Sequence, residues 1–230
     1  MQADAQLEAA FAKLGREYRA RKAAAEKAVS DWQWATFCRL DIRPLHFERN
    51  GIKPGRPLRQ EPSGRRNYVA YGLDREGRVV VERQHNEQGF YETFCVWGSR
   101  SLESAHFDYY VEPSRRGHGS ASKMPINLLR ASMTDGRIVA ADLAGAGGYT
   151  REEYRWEGGL VREVRVLGAL RQGGVLPPLR PSHTARAHYD DGGVLQCVDR
   201  VWPAVVVGRP EDLVEIMFER RGKTIYWNRP

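Results

Sequence analysis

The sequence predicts an α+β fold, mainly β: an antiparallel meander of hairpins forming a curved sheet, half-barrel or sandwich, with one N-terminal amphipathic helix packed on it. Three observations predict it. Near the N-terminus apolar residues recur every three or four positions, and from Asn67 onward they alternate with period two. The alternating runs are broken by short tips, in which an aromatic or leucine precedes an acid and a glycine follows. At 230 residues and 41% hydrophobic side chains, the chain is long enough to bury a core as one domain.

In 1–33, Leu7, Phe11, Leu14, Tyr18, Ala25, Val29 and Trp32 trace one helical stripe, and Lys13, Arg16, Glu17, Lys22 and Glu26 form the wet face. Arg21 interrupts the stripe, which favours packing on the main domain over a coiled coil. Residues 34–66 read as a basic connection. Its run RNGIKPGRPLRQEPSGRR carries six basic residues against Glu61, and its prolines remove the donors that a helix or sheet would need. It fits a solvated linker or an arm that touches phosphate or an acidic partner.

In 67–230 the strands NYVAYGL, RVVVERQH and FYETFCVW are joined by the turns DREG and NEQG, and SAHFDYYV extends them. The middle is less regular. EPSRRGHGSASK is a loop, MPINLLRASM a short helix or a strand, and Asp135–Gly136 a turn. Hairpins resume as YTREEYRW/LVREVRVL about EGG, SHTARAHY/VLQCVDRV about DDGG, and LVEIMFE/KTIYWN about RRG. On FYETFCVW, Phe90 and Phe94 share one face, Tyr91 and Trp97 the other. If both faces are apolar, the helix covers one and a second sheet or a partner covers the other.

The tips Tyr189, Asp190, Gly193 and, in weaker copies, Leu73, Asp74, Gly77 and Phe218, Glu219, Gly222 resemble the YD repeat of Rhs-type shell proteins. A shell needs many more units, so the resemblance reaches the hairpin tips and no further. In general style, a hairpin-rich chain of this size is similar to the immunity proteins that accompany bacterial polymorphic toxins. That likeness implies a surface that plugs a partner protein and no chemistry of its own.

The six histidines make no HExxH or His-x-His pair, and the three cysteines stand far apart, so the pattern predicts neither metal nor cofactor. His106, Asp108 and Tyr110 share one strand face and could line a pocket. The loop containing Arg115, Arg116, His118, Ser120 and Lys123 could cradle an anion, although it lacks the spacing of a phosphate-binding loop or a nucleophile elbow. Arg65 and Arg66 would add charge beside it. Glu152 and Glu153 are adjacent on a strand and face opposite ways, while Asp190 and Asp191 belong to a turn.

The net charge of +7 permits an acidic protein or nucleic acid as partner. No apolar run approaches the ~18–20 residues of a membrane span. The N-terminus lacks the charge and apolar core of a secretory leader, and with isolated cysteines this predicts a cytoplasmic protein. Three functions fit: a non-catalytic protein-binding sheet of the immunity or accessory kind; a nucleic-acid binder using basic loops and sheet aromatics; and an enzyme with a pocket near His106, Asp108 and the 117–123 loop. A deep pocket of convergent polar groups separates the last from the first, which needs a contiguous apolar surface.

Overall fold

A computed structural model describes residues 1–64, 67–87, 89–111, 123–209 and 211–227, without the side chains of 109–111. In chain order the elements are α1 (Ala5–Ala28), β1 (Asp31–Ala35), α2 (His46–Arg49), β2 (Pro57–Leu58), β3 (Tyr68–Leu73), β4 (Val79–His85), β5 (Phe90–Trp97), β6 (Ser101–Val111) and β7 (Lys123–Thr134). There follow β8 (Arg137–Gly145), β9 (Gly148–Glu157), β10 (Leu160–Leu170), β11 (Arg180–Tyr189), β12 (Leu195–Trp202), α3 (Ala204–Val207), β13 (Leu213–Arg221) and β14 (Thr224–Trp227). The 14 strands form one antiparallel sheet in which β3 to β14 follow chain order, while β1 and then β2 extend it beyond β3. None of the described helices is long and apolar enough to cross a membrane.

The tips are built as their residues require. Asp190 Oδ1 accepts the Val194 N–H at 2.8 Å and Asp74 Oδ1 that of Arg78 at 2.9 Å, while Gly193 and Gly77 take φ of +75° and +76°. In a meander, successive connections fall at opposite ends and every second one at the same end. These two tips, with those at Gly136, Gly158 and Gly222, therefore share one end of the sheet.

Asp4 caps α1 by accepting from the Gln6 and Leu7 amides at 2.8 and 3.3 Å, and Leu7, Leu14, Tyr18 and Ala25 bury one stripe on the sheet. They pack on Phe94, Ala105, Phe107, Leu128, Ala144 and Tyr149, alternate residues of β5 to β9. The helix stops earlier than its stripe suggests. The Ser30 amide donates to Leu73 O at 2.7 Å, and 31–35 become a strand paired with β3, although Val29 and Trp32 still join the helix-side core. MPINLLRASM is strand, part of β7.

The larger departure is the expected solvated connection 34–66. Adjacent antiparallel strands usually need about 2–5 residues between them. The β1–β2 link takes 36–56, and we call it the strap. It leaves and returns at one place: the Thr36 amide donates to Arg56 O at 2.9 Å and the Gly55 amide to Cys38 O at 2.8 Å. A Cβ on Gly55 would lie 2.2 Å from Phe37 O, so only glycine allows this closure. At its far point the Arg200 guanidinium of β12 donates to Arg49 O at 2.5 Å and Asn50 Oδ1 at 3.0 Å.

That contact fixes the shape of the sheet. Asn50 to Pro57 can span at most ~25 Å of chain. Along the sheet, β1 and β12 are ten strand spacings apart, ~48 Å if flat. The sheet must therefore curl, with the strap as a chord across its concave side and α1 on the convex side. It does not close, since β2 and β14 remain edges. Strap residues Ile42 and Leu45 join the concave core of Leu129, Tyr154, Val164, Val198 and Phe218, so the second face is covered by the chain's own strap.

Candidate functional site

Between strap and sheet lies a cavity of about 270 Å³. Its floor follows from strand alternation: inward residues of neighbouring strands fall into rows. The pairing places Glu82, Thr93, His106 and Asn127 side by side across β4 to β7, and Cys95, Ser104, Leu129 and Leu143 in the next row. The roof is strap, including Phe37, Cys38, Asp41, Arg43 and His46.

Most of the polar groups here are held neutral. Burial drives the pKa of His106 down to about 4 against the opposing charge of Asp108; His106 Nδ1 bonds Thr93 Oγ1 at 2.8 Å and its ring stacks on Tyr91. Burial and the Arg43 charge take His46 down to about 4 as well. Glu82 goes the other way. Burial, helped by Asp41 and opposed by Gln84 and Arg43, raises it to about 7, and Gln84 Nε2 donates to its Oε1 at 2.6 Å. Burial pushes the Cys38 and Cys95 thiols up to about 12, which keeps them protonated and poor nucleophiles. The cavity offers hydrogen bonds from neutral groups and one carboxyl able to exchange a proton near neutral pH.

Beside it, α2 brings a buried charge cluster onto the sheet. Arg49 donates to Glu152 Oε1 at 2.6 Å, Arg43 stands 3.7 Å from the same oxygen, and Tyr154 donates to Oε2. Burial disfavours the Glu152 carboxylate, but Arg49 and Arg43 outweigh it and hold its pKa low. Asp41, facing Arg43 and His46, is held low for the same reason. Arg49 Nε and Arg200 Nε are buried without a hydrogen-bond partner.

The convex face carries a second cluster. Glu92, fully buried, accepts from Tyr18 at 2.5 Å and Arg83 Nε at 3.1 Å, with Lys22 Nζ at 3.3 Å and Lys123 Nζ at 3.2 Å. Burial opposes its charge, yet Tyr18 and the cations keep its pKa low.

Of the residues singled out from the sequence, His106 lines the cavity, and Asp108 lies near enough to act on its charge. The side chain of Tyr110 lies outside the described residues, as do Arg65, Arg66, Arg115, Arg116, His118 and Ser120. Lys123 is turned inward: besides Glu92 it donates to Phe90 O at 2.7 Å and lies over the Phe90 ring, so it is occupied within the fold. Sequence reasoning missed Asp41, Arg43, His46, Arg49, Glu82, Thr93, Glu152 and Arg200. A signal existed for two of them, since Glu82 follows the apolar run Val79–Val81 on its strand and Glu152 alternates with Tyr154 and Trp156. Among the described residues no cluster of three metal-ligating side chains occurs.

Compared with protein-family models, curated proteins and solved structures, the chain matches none.

Proposed function

We propose that this chain binds a small organic molecule in the concave cavity under the strap. The observation that carries the reading is the convergence of polar, mostly neutral groups from four strands and the strap on one space. Its volume is near the lower end of ligand pockets, ~300–1,000 Å³. An interior serving stability alone would be filled by apolar side chains, because each buried hydrogen-bonding group costs about 1–3 kcal/mol when left unpaired.

The experiment is a thermal-shift screen of small polar metabolites on the full chain, with Leu143→Trp, which fills the cavity, as control. Compounds that raise the Tm of the parent chain and leave Leu143→Trp unmoved support the reading; compounds that act equally on both, or none at all, count against it.

Protein binding of the immunity or accessory kind is a second reading, favoured by a different observation. Val214 and Ile216 on β13 and Ile225 and Tyr226 on β14 are exposed, and the outer edge of β14 is unpaired. Lysine substitutions at Ile216 and Tyr226 would abolish partner capture under this reading and leave cavity ligands unaffected.

A further inference from the structure

We infer that the molecule held in the cavity is an organic acid, with its anionic head outside the cavity, in a basin on the rim of the strap, and its neutral body inside; this rests on the ligand-binding reading above. The basin, of about 1020 Å³, adjoins the cavity across Phe37, His46 and Ile52, which line both. Lys53, Arg56 and Arg200 line the basin, and no acid does.

These cations differ from the others that face inward. Arg43, Arg49, Arg83 and Lys123 each have a carboxylate within 4.0 Å. Lys53 and Arg56 are exposed, and their side chains make no ion pair or hydrogen bond with a described residue. Arg200 spends its Nη2 on Arg49 O and Asn50 Oδ1, keeps Nε unpartnered, and has no carboxylate within salt-bridge distance. Two exposed cations with no described counter-ion, and Arg200, which feels the charge of Glu215 without a direct ion pair, line one hollow and form a site for an anion.

Orientation follows from the charges on the other side of His46. Inside, a negative head would meet Asp41 and, once it ionises, Glu82, and Arg43, the cation lining that space, is already paired with Asp41 and Glu152. Outside, it meets only cations. A body with hydroxyl or ring nitrogen groups could bond Thr93, His106 and Gln84 while its acid remained at Lys53 and Arg56. The class is a small hydroxylated or heterocyclic acid, and a carboxylate or a phosphate would serve as head.

The test is calorimetric titration of the full chain with three matched probes: 4-hydroxyphenylacetate, its neutral alcohol 2-(4-hydroxyphenyl)ethanol, and its amine tyramine. The expected order is acid, alcohol, amine, with the acid about tenfold tighter than the alcohol. In the double variant Lys53→Ala/Arg56→Ala, both changes being at exposed positions, acid and alcohol should come within about twofold while the alcohol is unchanged. Equal binding of acid and alcohol by the parent chain, or an acid preference that survives the double variant, would overturn the inference and leave the cavity standing. Failure of all three probes to bind would count against the cavity reading itself.

Discussion

Glu92 and Glu152 lie on opposite faces of one sheet, each beneath a covering segment and each accepting a hydrogen bond from a tyrosine. Under α1, Glu92 meets Arg83, Lys22 and Lys123, and no polar atom of that group is buried unpaired. Under the strap, Glu152 meets Arg49 and Arg43, but Arg49 Nε remains unpaired, as does Nε of the neighbouring Arg200, which lines an open basin. The two clusters share their chemistry and differ in surplus. One carboxylate with all neighbouring donors used fastens a helix to a sheet; one with donors in excess leaves capacity for something else. Burial of charge alone therefore does not distinguish the two clusters, whereas unspent hydrogen-bonding capacity does.

Substitution at the two acids should separate them most. Glu92→Gln strands three cations and should cost about 3–5 kcal/mol of stability in urea melts, with ligand affinity of the folded fraction unchanged. Glu152→Gln strands the buried Arg49 and should cost a similar amount, about 3–5 kcal/mol, but should also change affinity, because Arg43 lines the cavity. No change in affinity for either would dissolve the distinction.

Gly55→Ala tests the strap without touching a charge. Its Cβ would collide with Phe37 O, so the strap must shift, at a cost of about 1–3 kcal/mol, and binding should be lost while the helix-side cluster is kept. The matched pair Tyr18→Phe and Tyr154→Phe each removes a donor to a buried carboxylate, about 1.5–3 kcal/mol. Only the second should alter ligand binding.

The pH dependence gives a smaller effect with a defined sign. Glu82 has a folded pKa of about 7 against an ordinary 4.5, so between those values the folded chain keeps a proton that the unfolded chain has released. Its contribution is complete below pH 4.5 and lost as pH rises through 7, up to about 3 kcal/mol. His46, His106 and His183, each held near 4 against an ordinary 6.5, act oppositely: their contribution is present above 6.5 and lost as pH falls towards 4. In Glu82→Gln the decline on the alkaline side should vanish and the acid-side loss remain, as read by denaturant titrations from pH 4 to 8.

Much of the meander was legible because it is written locally. Asp74 and Asp190 cap their own turns, and Leu7, Leu14 and Tyr18 mark the helix stripe by spacing alone. The strap was not, since its glycines and prolines have no period and its arginines look solvated until the curvature of the sheet brings Arg200 to Arg49. The clusters were half visible. Glu92 alternates with Phe90 and Phe94, and Glu152 with Tyr154 and Trp156, so each acid stands on an apolar face, which is the pattern of a buried charge. Which cations would answer them depends on pairings separated by up to 103 positions, beyond the reach of any local pattern.

The chord that shapes the sheet also sets an order of assembly. From β3 to β14 each strand finds its neighbour next in sequence, so hairpins can form as the chain emerges from the ribosome. The strap is made early, but the residue that anchors its far end, Arg200, is made some 150 positions later. Until then the roof has Glu152 of β9 to meet but lacks its second anchor. The compartment under the strap is thus anchored only once β12 is made, and a chain stalled or truncated before β12 would carry most of its sheet and a roof held at one point fewer.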